Sequence, residues 1–233
     1  MARRVAPLPA GEEKARAVRA MFDAIAARYD TVNRVMTFGM DRGWRRRAAG
    51  TLGVEPGAVV LDLACGTGDF CFEVQRRGWH AIGMDFAGEM LVRAKERGLT
   101  RLAQADALRL PVRDGAAAGI TCGFALRNVS DLSVLFAEMA RALRPGGRVA
   151  ILETAEPRNP VLRAGHAVYF KRIVPMIGGL LSNRAAYAYL PRSVAYLPTP
   201  DEMLAMLVRA GFRDVGRLTP GGGIVQILIG TRA

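Results

Sequence analysis

The stretch Val59 to Phe70, VVLDLACGTGDF, constrains the fold more than any other part of the chain. Val59, Val60, Leu61 and Leu63 make an apolar run of strand length, interrupted only by Asp62, which is the pattern of a strand covered on both faces of a parallel sheet. Gly66 and Gly68 follow at once, and glycines there let the chain turn sharply and bring bare backbone against a ligand. Thr67 or Asp69 can then open a helix whose first N–H groups point into the same space. Strand, glycine loop and helix predict a nucleotide-like ligand over the loop, although a GxG taken alone also fits a tight turn that holds nothing.

The rest of the chain supplies the context. After Asp69 to Arg77, a helix by pattern, Trp79 to Met84 is a second strand with Asp85 at its end, and Ala87 to Arg97 is again helical. Leu99 to Ala105 is a weaker strand ending at Asp106, Gly119 to Phe124 a fourth, and Asp131 caps a helix running to Leu143. Arg144-Pro145-Gly146-Gly147 terminates that helix before a fifth strand, Arg148 to Glu153. Strands alternating with helices imply a doubly wound parallel sheet, whose ligands bind at the carboxyl ends of the strands. Gly66, Asp85, Asp106 and Arg127 all fall on that edge, one after each of four strands.

Residues 12–50 predict a helical cap: Val18, Met21, Phe22 and Ile25 share one helix face, the helix ends near Tyr29 and Asp30, and Arg42 to Arg47 form a basic turn. Residues 1–11, with two prolines and no periodicity, predict a mobile tail. Residues 156–198 interrupt the strand–helix alternation with Tyr169, Phe170, Ile173, Met176, Ile177, Leu180 and Leu181 among Arg163, Lys171, Arg172 and Arg184, the composition of an amphipathic lid. A helix over Pro200 to Ala210 and strands over Phe212 to Leu218 and Ile224 to Gly230 close the chain as an antiparallel edge, so that 12–233 reads as one domain.

With 233 residues, 51% of them hydrophobic, the chain can bury a sizeable core. No apolar run approaches the roughly 18 residues of a membrane span, and no signal peptide is evident. Cys65, Cys71 and Cys122 have neither zinc-site spacing nor the number for a disulfide framework, which fits a reducing, cytoplasmic compartment. The net charge of +12 suits nucleic acid or anionic lipid, and the Arg-rich, Ala-rich composition is equally consistent with coding bias.

Asp85, at the end of the second strand, is placed to accept hydrogen bonds from both hydroxyls of a ribose, a group common to NAD and S-adenosylmethionine (SAM). A dinucleotide loop needs a third glycine where Cys71 stands, and Asp69 would repel a pyrophosphate but suits the ammonium of a methionine moiety. Those two residues favour SAM over NAD. Asp106 and Ala107 are then expected at the adenine.

LDLACGTGD, GMDFAGEML, the Ala-Asp-Ala of 105–107 and LRPGG before a strand resemble successive motifs of class I SAM-dependent methyltransferases. MFDAIAARYDTVNRVMTFGMDRGWRR, GFALRNVSD and YAYLPRSVAYLPTPDEMLAMLVRAGF further resemble the UbiE/MenG and Coq5 family of quinone-biosynthesis C-methyltransferases, a likeness that covers nearly the whole chain from about Arg19. The resemblance implies a Rossmann-like α/β fold with a mostly parallel seven-stranded sheet. It implies SAM as methyl donor, S-adenosylhomocysteine as product, no metal, and a prenylated quinol acceptor of which demethylmenaquinol comes first. By position it implies cofactor contacts from Asp62, Gly66, Thr67, Gly68, Asp69, Asp85, Phe86, Asp106, Ala107 and Gly123, and an acceptor site built by Tyr29, Arg127 and Asn128. The family commonly has histidine where Asp41 stands and serine where Gly123 stands, and the ending LTPGGGIVQILIG is looser than usual.

Carbon methylation of a hydroquinone needs a ring hydroxyl to be deprotonated, and Arg127 is the candidate cation for the resulting anion, with Asn128 and Tyr29 orienting the ring. Arg127 can equally cap its strand in a salt bridge, and Tyr29 can end a core-packed helix. His166 reads as a surface residue before a base, His80 as structural, and Cys65 as a packing residue. The expected partners are the prenylated quinol and, transiently, an anionic membrane surface at the inner face; a homo-oligomer is allowed and nucleic acid is not expected. Other acceptors, namely a phospholipid, sterol, secondary metabolite or nucleic acid, stay open, as does a non-catalytic SAM-fold module. Against nucleic acid, FALRNV replaces the Asn-Pro-Pro-aromatic loop that cradles a flipped base.

Overall fold

A computed structural model describes residues 11–181, 186, 189 and 193–233. Residues 1–10, expected as a tail, and Arg184 of the expected lid lie outside the described residues.

Seven strands form one sheet: β1 (Val59–Leu63), β2 (His80–Asp85), β3 (Leu102–Gln104), β4 (Ala117–Gly123), β5 (Leu143–Thr154), β6 (Phe212–Leu218) and β7 (Val225–Arg232), in the order β3-β2-β1-β4-β5-β7-β6. β1 pairs in parallel with β2 and β4, β2 with β3, and β4 with β5. The C-terminal hairpin ends the sheet as the sequence predicts, with β7 antiparallel to both β5 and β6. Strand order reverses between β1 and β4, so the carboxyl ends of these two strands flank the crevice in which such sheets bind ligands.

Both sheet faces are covered. Helices α4 (Asp69–Gln75) and α5 (Gly88–Glu96) follow β1 and β2, and α6 (Leu132–Ala142) follows β4. Asp131 caps α6, its carboxylate accepting from the N–H groups of Ser133 at 2.8 Å and Val134 at 3.1 Å. Leu135, Phe136 and Met139 of α6 are fully buried against Ile120 and Ile151. β5 begins earlier than predicted: Leu143 already pairs with Ala117, and a register shift carries the Arg-Pro-Gly-Gly segment as a bulge before Arg148 meets Gly119.

The cap consists of α1 (Gly11–Ile25), a 3-10 turn (Ala26–Arg28), α2 (Tyr29–Met36) and α3 (Met40–Gly50). The basic turn expected at Arg42 to Arg47 is instead the middle of α3. Gly39, at φ +73°, reverses the chain ahead of it, a conformation that suits glycine. Within α3, Arg42, Arg46 and Arg47 face solvent while Arg45 turns inward to pair with buried Asp41 one helical turn earlier. Ala48 and Ala49 are fully buried. The apolar stripe of α3 is thus made of small residues and one paired cation, which is why the run of arginines hid it.

The interruption after β5 holds α7 (Pro160–Val168), a π turn (Tyr169–Ile173) and α8 (Val174–Leu181). No residue of α7 is buried, whereas Val174 of α8 packs with Ile25, Val32 and Met36 of the cap. Helix α9 (Pro200–Arg209), opened by a Thr199/Glu202 capping box, returns the chain to β6.

Candidate active site

Two cavities meet beneath the cap. The first, about 380 Å³, lies over the glycine loop and is lined by Gly66, Asp85, Phe86, Asp106, Ala107 and Gly123 among others. Its floor is a tight turn: Gly68 N–H donates to Cys65 O at 2.9 Å. The turn brings Gly66 N–H onto Asp85 Oδ2 at 2.7 Å, and Ala87 N–H donates to Asp85 Oδ1 at 2.8 Å. Each carboxylate oxygen keeps a further lone pair toward the cavity. Burial pushes the Asp85 carboxyl up, and the backbone donors of Ala87, Gly66 and Phe86 oppose that rise. On the far side, Asp106 Oδ1 accepts from Leu108 N–H at 2.9 Å, and Ala107 and Leu108 make an apolar wall. Arg19 of α1 stacks over Phe86 at 5.1 Å from the ring centre. Asn128 also lines this cavity, and its Oδ1 is buried without a hydrogen-bond partner.

A carboxylate at the end of β2, an apolar slot beside Asp106 and an orphaned buried acceptor fit a nucleoside carrying a cationic tail. At Gly123, a Cβ would stand 2.8 Å from Phe70 Cε2, so the benzyl ring of Phe70 occupies the space a serine would use.

Several residues expected at the cofactor do not line this cavity. Asp62 is buried on the other side of β1, accepting from Thr121 Oγ1 at 2.8 Å and from Cys71 Sγ at 3.4 Å. Burial pushes its carboxyl up to about 7. Gly68 shapes the turn from behind: at φ +91° its Cβ would come 2.1 Å from Leu99 Cδ1. The Thr67 hydroxyl donates to Asp30 Oδ1 at 2.5 Å, and Asp69 is held by Arg97 at 2.7 Å and Arg45 at 3.7 Å. Burial raises the Asp69 carboxyl, but Arg45 and Arg97 bring it below its ordinary value. Its charge is already paired with those two arginines.

The second cavity, about 420 Å³, lies between the cap and the lid helices. Its walls are mainly apolar: Met21, Phe38, Trp44, Leu162, Phe170 and Ile224 contribute, with Arg45 and Arg127 as the cations. Phe22, Tyr29 and Phe124 line both cavities and form the partition between them. Phe22 and Tyr29 meet edge to face at 6.0 Å, and the Phe124 ring has the Arg45 and Arg127 guanidiniums 5.5 Å and 5.9 Å from its centre. Phe124 holds φ +58°, a strained value for an aromatic residue, immediately after β4.

Tyr29, expected to face the acceptor ring, stands at the junction of the two cavities. Burial raises its phenol above the ordinary value, with Arg45, Asn33 and Arg127 opposing. Arg127 lines the second cavity and forms the salt bridge that the sequence allowed, its guanidinium pairing with Glu153, which is 0% exposed. Its Nε remains buried without a partner. Asn128, expected beside Tyr29 and Arg127 at the acceptor, turns instead into the first cavity. The two residues share one 3-10 turn, Leu126–Asn128, where neighbours point about 120° apart.

His166, read as a surface residue, lines the second cavity with its Nε2 buried and unpartnered; burial lowers its pKa. His80 is exposed at the head of β2, and Cys65 is buried in the cluster under the loop. Sequence reasoning missed Phe22, Phe124, Arg45 and Asp30. The signal for Phe124 was its place directly after a parallel strand; the others are set by packing of the cap.

Residues 10–232 match the ubiE/COQ5 methyltransferase family. The chain belongs to that family. It is 41% identical to the demethylmenaquinone methyltransferase of Roseiflexus castenholzii, over 97% of each chain. To the ubiquinone/menaquinone biosynthesis C-methyltransferase of Geotalea daltonii it is 38% identical, over 94% of this chain and 98% of the other. Among solved structures, a SAM-dependent methyltransferase from Thermotoga maritima, described as a possible histamine N-methyltransferase, superposes with a TM-score of 0.66 at 17% identity, covering 93% of this chain and 100% of that one. The fold is that of SAM-dependent methyltransferases, and the chain is a methyltransferase.

Proposed function

We propose that this enzyme transfers a methyl group from SAM to a ring carbon of a prenylated hydroquinone, demethylmenaquinol in the first instance. The observation that carries the reading is the partition of Phe22, Tyr29 and Phe124, which separates a cavity holding the Asp85 and Asp106 carboxylates from a second one holding the unpartnered Nε of Arg127. In this reading Asp85 takes the ribose hydroxyls, Asp106 and Ala107 the adenine, and Asn128 Oδ1 a donor of the methionine end. When bound, SAM supplies an electrophilic methyl on a sulfonium.

The residues of the chain do the rest. Arg127 sits beside the ring hydroxyl and favours its anion, which pushes electron density onto the adjacent carbon. A guanidinium offers donors only, so the hydroxyl proton passes to water or to another group, and the ring carbon gives up its own hydrogen as a proton once the methyl is in place. Phe22, Tyr29 and Phe124 exclude bulk water and hold the ring carbon in line with the methyl. The prenyl tail leaves between α7 and the cap, where Phe38 and Val161 are exposed at 76% and 79%. Those residues and the net charge of +12 support a peripheral stay on anionic lipid at the cytoplasmic face. Among the described residues no helix is long and apolar enough to cross a membrane.

Calorimetry with SAM and a methyl-transfer assay on short-chain demethylmenaquinol test the reading. Heat with SAM, turnover, and loss of that heat by at least about 100-fold in affinity in Asp85→Ala are expected, since a buried carboxylate with two ligand bonds is removed. Absence of SAM binding by the wild-type chain sinks the enzyme reading, and binding without turnover on any quinol sinks only the acceptor.

A further inference from the structure

We propose that Asp30 is a positioning residue: through Thr67 and Arg97 it latches the cap onto the glycine loop and thereby fixes Tyr29 in the partition between the two cavities. This rests on the reading that SAM occupies the loop cavity and the acceptor the other.

The latch is built from residues far apart in sequence. Thr67 Oγ1 donates to Asp30 Oδ1 at 2.5 Å, and Arg97 Nη1 lies 3.1 Å from Asp30 Oδ2. The same Arg97 nitrogen donates to Thr67 O at 2.9 Å and to Thr67 Oγ1 at 3.0 Å, while its other terminal nitrogen holds Asp69. Thr67 is 3% exposed, and its hydroxyl is occupied both as donor and as acceptor. Its one proton is thereby committed to Asp30, so that toward any further partner the hydroxyl has only its second lone pair to offer. The side chains of Asp30 and Arg97 are 33% and 30% exposed, so their ion pair is screened by solvent and the buried Thr67 hydrogen bond is the stronger tie.

Geometry connects the latch to the chemistry. Asp30 directly follows Tyr29 at the start of α2, and the Tyr29 ring lies over the loop, its Cε1 4.0 Å from the position a Cβ on Gly66 would take. The turn closed by Gly68 N–H and Cys65 O presents Gly66 N–H to Asp85 on one side and Thr67 to Asp30 on the other. One four-residue turn thus carries the ribose site at one end and the cap anchor at the other. Without the anchor, α2 can rotate on its neighbours and Tyr29 leaves the partition, while the Asp85 site keeps its own bonds.

The test measures SAM affinity by calorimetry and kcat on short-chain demethylmenaquinol for Asp30→Ala, Thr67→Val, the double variant and Thr67→Ser, with thermal unfolding to confirm folding. Each of the first two is expected to lower kcat about tenfold while leaving the SAM Kd within about threefold. The double variant should be no slower than Asp30→Ala alone, since both remove one interaction, and Thr67→Ser, which keeps the hydroxyl, should recover most of kcat. A tenfold or larger rise in SAM Kd for Thr67→Val with kcat spared makes Thr67 a cofactor contact and overturns the proposal. So do unchanged kcat in both single variants, or losses that multiply in the double. If the wild-type chain itself gives no heat with SAM, the functional reading has failed instead.

Discussion

Truncating Arg127 disturbs more than the cavity under the cap, and the size of the disturbance follows from its partner. Glu153 is fully buried and its Oε1 pairs with the Arg127 guanidinium, with Thr154 N–H donating to the same oxygen at 2.8 Å. Arg127→Ala leaves that carboxylate without its countercharge, which costs about 3 to 5 kcal/mol for a buried pair. For a chain of 233 residues this lowers Tm by about 10 °C. Loss of turnover in Arg127→Ala therefore mixes catalysis with instability. The double variant Arg127→Met, Glu153→Gln separates them: it fills the space, removes both charges and should recover most of the lost stability, while methyl transfer stays at least 100-fold down, about 3 kcal/mol in the barrier. Urea unfolding and methyl-transfer rates on all three proteins decide the matter. A double variant that regains turnover would falsify the assignment of Arg127 to the ring anion, and an Arg127→Ala variant of wild-type stability would show that the buried pair contributes nothing.

Asp62 offers a test by pH. Its folded carboxyl sits at about 7 against an ordinary 3.8, raised by burial. Between those values the unfolded chain is ionised while the folded chain keeps its proton, so stability falls as pH rises from about 4 to about 7 and then levels off. Asp62→Asn removes the titration, and its stability relative to wild type should grow across that window by at most about 4 kcal/mol; a gap independent of pH in urea melts at pH 5 and pH 8 would contradict this. For membrane contact, Leu180→Asp and Val168→Asp alter residues 77% and 53% exposed that line neither cavity. Both should weaken co-sedimentation with phosphatidylglycerol vesicles while turnover on a short-chain acceptor in solution is kept, and equal binding by variant and wild type would remove the lipid surface from the account.

The carboxyl edge of the sheet was legible because parallel strands announce their own ends. Gly66, Asp85, Asp106 and Arg127 end or follow successive apolar runs, and strand order alone carries them to one edge. What could not be read was direction within a turn and pairing across the cap. Arg127 and Asn128 are adjacent, yet one rotation of a 3-10 turn sends them to different cavities. Thr67 and Asp69 also have partners within the protein, and Asp30, Arg97 and Arg45 reach them from other elements with no spacing in the sequence to announce it. In α3 the repeated arginines masked a helix whose buried face is two alanines and one neutralised cation.

The three-ring partition also decides how ligands come and go. The loop cavity reaches the surface beside exposed Glu12 and Ser130, whereas the cap cavity opens past Phe38, Val161 and Leu162. One doorway is wetted and the other greasy, and no ligand needs to pass the other on its way in. Under the proposed function, a spent nucleoside is exchanged with the surrounding water while the second doorway stays pressed to a lipid surface, and one molecule of enzyme works through many acceptors on a single visit.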